Sequence, residues 1–225
     1  MFESDAEALR SLRTEFTRMA GSCAVRSSAV GEDSEGASFA GQHVTILNVR
    51  DEEQVIDAVL QVRASAHTES ALAYRRTLGM DQAPRVGVVV QRMIEPECAG
   101  VMFTKNPING AEERVIEASW GLGESVVAGL VVPDNYVLDA SGSVVKRTAG
   151  EKDIALRSAP AGGTVEEGVA GPLIRALCLS DAMLASLHGL AVRCEQFFGA
   201  GLDIEWAFAD GTLYLLQCRA MTRNR

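Results

Sequence analysis

Two short runs near the end of the chain alternate polar and apolar residues: Asp203-Ile204-Glu205-Trp206 and Leu216-Gln217-Cys218-Arg219. Side chains two apart on a strand share a face, so Asp203 and Glu205 project together, as do Gln217 and Arg219. Carboxylates and an amide oxygen are the hard oxygen ligands that Mg²⁺ prefers, in company with the phosphates of a substrate. An arginine beside them can balance charge developing on a transferring phosphoryl group. Whether the four converge depends on the turn between the runs. A two-residue loop at Asp210-Gly211 in a regular hairpin pairs Glu205 with Leu216 and sends Gln217 to the opposite face. One extra residue, in the loop or as a bulge, pairs Glu205 with Gln217 and Asp203 with Arg219. The second register is the predicted one. An amphipathic hairpin with salt bridges on its solvent face is the plain alternative.

Two further segments carry polar residues at the ends of apolar strands. Arg26 leaves the run Ala24-Val25-Arg26-Ser27 just before a Gly/Ser-rich stretch that ends Ala37-Ser38-Phe39-Ala40-Gly41-Gln42. A guanidinium there can grip phosphate with its planar fork, and the following loop can add backbone N–H groups in a nest. Gly41 permits close backbone approach, and Thr45 can donate from the next strand. A surface turn with a salt-bridged arginine reads equally well. In Val88-Val89-Val90-Gln91-Arg92-Met93, a purine can lie on the apolar side chains while Gln91 reads its edge; a simple core strand fits the same residues. The standard phosphate loops, GxxxxGK[ST] and GxGxxG, do not occur, and His43, His67 and His188 sit in no recognisable catalytic set.

The elements that must hold these residues follow from the pattern of the rest of the chain. At 225 residues, 47% hydrophobic and 23% charged, the composition is that of an ordinary globular protein with ample core. A net charge of −9 gives no generic attraction for nucleic acid or an anionic membrane. Lys105, Lys146 and Lys152 are the only lysines, which leaves few candidates for a phosphate-binding lysine. No apolar run approaches a membrane span, and the five scattered cysteines read as buried thiols in a reducing compartment. Cytoplasm is the expected location.

Ser4 and Glu7 form a capping-box pattern ahead of Leu9, Leu12, Phe16 and Met19, so a helix is expected up to Gly21. Strands are expected at 24–27 and 44–49, with an ordered loop over 30–42. A helix opens at Asp51 with Val55, Ile56, Val59 and Val62 on one side, and a second covers 68–78. Strands at 85–94, 99–104 and 114–119 follow, then a hairpin about Ser141-Gly142. Residues 158–171 look like a linker, Pro172 like the start of a long helix to about Phe198, and 202–220 like the closing hairpin about Asp210-Gly211. Mixed elements without regular alternation point to an α+β fold.

Taken in order, these segments resemble one family. Ala24-Val25-Arg26-Ser27-Ser28-Ala29 with Gly31-Glu32-Asp33-Ser34 and Ala37-Ser38-Phe39-Ala40-Gly41-Gln42 resembles the signature of the phosphoenolpyruvate synthase nucleotide-binding domain. Tyr74-Arg75, Val90-Gln91-Arg92-Met93, Gly100-Val101-Met102-Phe103-Thr104 and Asn106-Pro107 continue it, followed by Trp120-Gly121-Leu122-Gly123-Glu124 and Pro133-Asp134. The two closing runs complete it. Pyruvate phosphate dikinases, glucan water dikinases and rifampicin phosphotransferases share this domain. The resemblance covers about 20–222, preceded by a leading helix over 1–19, and implies that 1–225 is a single, partial nucleotide-binding domain of ATP-grasp-like α+β fold.

The resemblance also implies ATP and Mg²⁺ held between two lobes, and transfer of the ATP β-phosphate to a histidine on a separate domain. On that basis Arg26 and Arg219 bind phosphate, Gly41 and Thr45 line the phosphate loop, and Gln91 lies by the adenine. Glu205 and Gln217 hold Mg²⁺ and phosphate, with Asp203 a further metal candidate. The departures matter too. Nothing in 1–21 resembles the Gly-Gly-Lys segment of the family's first lobe, Ala220 stands where the family has proline, and His67 matches no phosphohistidine motif. The expectation is therefore an ATP-binding part of a dikinase-type phosphotransferase, incomplete at its N-terminal lobe and not sufficient alone for turnover. Its phosphohistidine domain would act in cis or in trans, and uncovered apolar surface would favour a homo-oligomer or partner. A rifampicin phosphotransferase-like parent and a non-catalytic nucleotide-binding module are the alternatives.

Overall fold

The computed structural model describes residues 2–29, 44–77 and 86–221. The chain divides into two compact units, 1–93 with 158–164 and 94–157 with 165–225.

In the first unit, α1 (Phe2–Met19) is under way before Ser4, so the capping-box serine lies inside the helix and does not start it. Ala20 and Gly21 both take positive φ and end it. Then come β1 (Cys23–Ala29), β2 (Ile46–Val49), α2 (Glu52–Ser65), α3 (Glu69–Thr77) and β3 (Val86–Arg92). Asp51 caps α2 by accepting from the Gln54 N–H at 2.8 Å. The strands form an antiparallel sheet in the order β2-β1-β3. Alternate residues of β1, Cys23 and Val25, join Phe16 and the α2 residues Val55, Ala58 and Val62 in the core, so Ala24 and Arg26 take the other face. The expected loop over 30–42 lies outside the described residues.

The second unit is built on β4 (Cys98–Phe103), β5 (Arg114–Trp120), α4 (Glu124–Val127), β6 (Asp134–Leu138) and β7 (Val144–Thr148). The hairpin of β8 (Ile154–Ser158) and β9 (Thr164–Gly168) follows, then α5 (Gly171–Ile174), α6 (Asp181–Phe198), β10 (Leu202–Ala209) and β11 (Thr212–Ala220). Six strands pair antiparallel in the order β11-β10-β4-β5-β6-β7. One face of this sheet is dry. Met102, Ile116, Tyr136, Ile204 and Trp206 pack there against Leu184, Leu187, Leu190 and Cys194 of α6. The structure thus has the expected α+β class, with antiparallel sheets.

Two expectations fail in the region of 158–198. The linker-like stretch is the turn of the β8–β9 hairpin: Gly162 and Gly163 take positive φ, and the Ala159 N–H donates to the Gly163 carbonyl at 2.9 Å. Asn48 fixes that turn in the first unit, its side-chain amide donating to the carbonyls of Ala159 and Gly163 at 2.7 Å each. Glycines that read as flexibility in sequence serve instead for left-handed backbone. Nor does Pro172 open the long helix. It starts the four-residue α5, and α6 begins afresh behind Ser180, whose hydroxyl caps it at Met183.

All five cysteines are free thiols and four are buried. Burial pushes the Cys23 thiol up to about 11 and, with Cys194 beside it, that of Cys218 to about 12. Among the described residues no helix is long and apolar enough to cross a membrane.

Candidate functional site

The closing hairpin decides the register question. Ala209 pairs with Thr212, so the loop is the two residues Asp210-Gly211, both at positive φ. Trp206 then pairs with Leu215 but Glu205 with Gln217, leaving Leu216 as the extra residue of a bulge. That single bulge moves Gln217 and Arg219 to the face of Glu205 and Asp203. Glu205 stands opposite Gln217, and Asp203 opposite Arg219, as the predicted register requires.

Because Ile204 and Trp206 point into the dry core, these four side chains belong to the other face of the sheet. Arg219 donates from Nε and Nη2 to Asp203 Oδ2 at 2.9 and 2.7 Å. The Asp203 Oδ1 atom is buried and has no hydrogen-bond partner. An anionic oxygen left that way is costly in isolation and suits a cation. With the Glu205 carboxylate and the Gln217 amide one residue pair away, the donor set fits Mg²⁺, which keeps waters and takes only one or two carboxylates alongside phosphates. Among the described residues no three His, Cys, Asp or Glu side chains cluster to cage a metal by themselves. An ion here would be shared with a substrate.

The ladder carries this polar row further across the sheet. Glu205 pairs with Val101, Val101 with Glu117, and Glu117 with Asn135, so all of them face the same way as Gln217. The sequence reading singles out neither Glu117 nor Asn135. The available signal was a glutamate and a serine two residues apart in the otherwise apolar strand Val115-Ile116-Glu117-Ala118-Ser119.

In the first unit, Arg26 of β1 pairs with Val89, and Gln91 of β3 with Ala24, which makes Arg26 and Gln91 diagonal neighbours on one face. Arg26 Nη1 donates to Gln91 Oε1 at 3.4 Å. Thr45 is exposed just before β2, and Gly41 lies outside the described residues. The structure therefore gathers the expected site residues as two sets, Arg26 with Gln91 and the four residues of the closing hairpin. As for a stand-in phosphate-binding lysine, Lys152 is fully buried against Asp134, and Lys105 pairs with Glu112 at 2.5 Å.

Residues 3–225 match the family described as pyruvate phosphate dikinase, AMP/ATP-binding domain. The chain belongs to this family. A probable phosphoenolpyruvate synthase of Methanothermobacter thermautotrophicus is 43% identical over 88% of this chain and 29% of its own length. A rifampicin phosphotransferase of a Streptomyces species is 41% identical over 88% of this chain and 23% of its own length. An uncharacterized phosphotransferase of Bacillus subtilis is 38% identical over 89% of this chain and 24% of its own length. The chain thus spans less than a third of each of these relatives. As a pyruvate phosphate dikinase-type AMP/ATP-binding domain it carries the alternating carboxylate, amide and arginine residues on the side of its large sheet that α6 leaves open.

Proposed function

We propose that this chain is the ATP-binding part of a phosphotransferase of the phosphoenolpyruvate synthase kind, which passes the ATP β-phosphoryl group to a histidine on a separate domain. The observation that carries the reading is the bulged register of β10 and β11, which puts two carboxylates, an amide and a guanidinium on one face. In this reading Glu205 and Gln217 hold Mg²⁺ and phosphate oxygens, and Asp203 Oδ1 supplies a further oxygen. Bound there, Mg²⁺ would neutralise charge on the phosphates and orient them. Asp203 aims the Arg219 fork, which then meets developing negative charge without having to reorganise. Arg26 grips phosphate from β1, Gln91 lies by the adenine, and Gly41 and Thr45 belong to the phosphate loop. A lysine from a further segment, the phosphohistidine domain and the final acceptor's site would be supplied outside these residues, in cis or in trans.

The 41% identity to a rifampicin phosphotransferase supports a second reading, in which the same ATP site serves an antibiotic acceptor. The two share everything proposed for the hairpin. Titration calorimetry with MgATP on this chain, on Arg219→Ala and on Glu205→Ala tests the common part. Saturable binding weakened by both substitutions is the expected result. Binding indifferent to both would remove the hairpin from the site, and no binding at all would leave this chain a nucleotide-free module.

A further inference from the structure

We propose that Glu117, with Asn135 beside it, accepts the ribose hydroxyls of the bound nucleotide and so makes the site selective for a ribonucleotide. The inference rests on the ATP site proposed above. It starts from an unexplained side chain. Glu117 sits mid-strand in a six-stranded sheet, half-buried, and among the described residues no hydrogen bond or ion pair reaches its carboxylate. Burial alone raises its pKa above the ordinary carboxyl value. Its carboxylate is thus partly desolvated yet has no donor among the described residues, and a ligand hydroxyl could supply one.

Its neighbours have the same character. Asn135, directly opposite on β6, makes no side-chain hydrogen bond among the described residues. Ser119, two residues along β5 and on the same face, is 1% exposed, and its Oγ has no partner. On the face that α6 leaves uncovered, Glu117 and Asn135 are therefore left with unused hydrogen-bonding capacity, while Ser119 is enclosed beside them.

The chemistry of the missing ligand follows from charge and spacing. Glu117 is two strands from Glu205, a separation of about 10 Å. Side chains standing roughly perpendicular to the sheet at that spacing do not converge on one Mg²⁺ with bonds of about 2.1 Å. Val101 lies between them as an apolar floor, and among the described residues no cation offsets the charge of Glu117, which disfavours phosphate there. What suits an acceptor-only group beside an amide is a neutral donor, and a vicinal diol presents two O–H groups to one carboxylate. On a nucleotide whose phosphates lie at Glu205, Gln217 and Arg219, the ribose is the part that carries such a diol.

Calorimetry of this chain and of Glu117→Gln and Glu117→Ala with the Mg²⁺ complexes of ATP, 2′,3′-dideoxy-ATP and tripolyphosphate tests the assignment. The unmodified chain should prefer ATP to the dideoxy nucleotide by about tenfold or more. Both variants should lose that preference, while tripolyphosphate binds them as well as before or slightly better. Glu117→Gln is nearly isosteric, so a thermal melt matching the unmodified chain separates recognition from folding. A preserved ATP preference in the variants would overturn the proposal and leave the ATP site standing. So would a parallel loss of tripolyphosphate, which would make Glu117 part of the metal and phosphate set. Failure of the unmodified chain to bind ATP would remove both.

Discussion

Arg219 gives two of its N–H groups, Nε at 2.9 Å and Nη2 at 2.7 Å, to the same oxygen of Asp203. The other oxygen, Oδ1, is buried without a partner. The carboxylate thus fixes the plane and direction of the guanidinium while keeping one anionic oxygen for something else. Lysine, a single point charge, cannot reproduce the planar two-donor grip that orients the guanidinium. Arg219→Lys should therefore weaken MgATP binding by about tenfold or more, at little cost in thermal stability. Calorimetry beside a melting curve checks it; unchanged affinity would assign the arginine to the hairpin's packing alone.

Glu205 and Gln217 are proposed to meet the nucleotide through Mg²⁺, so their substitution should show in the metal dependence. Glu205→Gln keeps size and hydrogen bonding but removes the charge that draws a hard cation. The concentration of Mg²⁺ needed for half-maximal ATP binding should rise by about tenfold or more, while ATP measured in chelator binds as it does to the unmodified chain. Loss of both in proportion would point to direct contact with the nucleotide instead.

The polar row explains what could and could not be read from the sequence. The alternation in 203–206 and 216–219 was visible, and so was the need for one extra residue, because pairing parity alone separates the two registers. That the extra residue is Leu216 in a bulge was not legible, since either the loop or the strand could have absorbed it. Glu117 was passed over because its meaning depends on Val101 and Glu205, partners more than fifteen and eighty residues away that only the ladder identifies. Asp134 and Lys152 gave no local sign of pairing for the same reason. The 158–171 stretch misled because composition does not distinguish glycine in a tight hairpin from glycine in a linker.

His188 of α6 lies under the β6–β7 turn. Gly142, at φ +88, passes so close that a Cβ there would fall 2.7 Å from the imidazole ring. Burial lowers the His188 pKa below the ordinary 6.5, and Arg114 lowers it further, against smaller opposing effects of Glu195 and Asp139. The unfolded chain therefore takes up the proton more readily than the folded one. Stability from this group is complete above about pH 6.5 and is lost as pH falls through the depressed folded value. Urea midpoints should drop between about pH 7.5 and about pH 5.5, and His188→Gln should flatten that drop. Equal slopes in both proteins would assign the acid sensitivity to other groups.

The most heavily buried charge in the second unit is the Asp134–Lys152 pair, in which both side chains are fully enclosed. Oδ1 of Asp134 accepts from Lys152 Nζ and from the Gly150 N–H at 2.8 Å. Its Oδ2 accepts from the Cys178 N–H at 2.8 Å and the Tyr136 hydroxyl at 3.3 Å, and that hydroxyl in turn accepts from the Leu179 N–H at 3.1 Å. One carboxylate thereby ties the segments around 150–152 and 178–179 to the strand β6. Asp134→Asn leaves an uncompensated ammonium in the core and should cost about 3–5 kcal/mol of stability. Adding Lys152→Met removes that charge as well, so the double variant should be more stable than Asp134→Asn alone. Urea unfolding of the two single variants and the double variant measures the coupling. A double variant no better than the sum of the singles would mean that the backbone N–H groups, rather than the lysine, are what Asp134 serves.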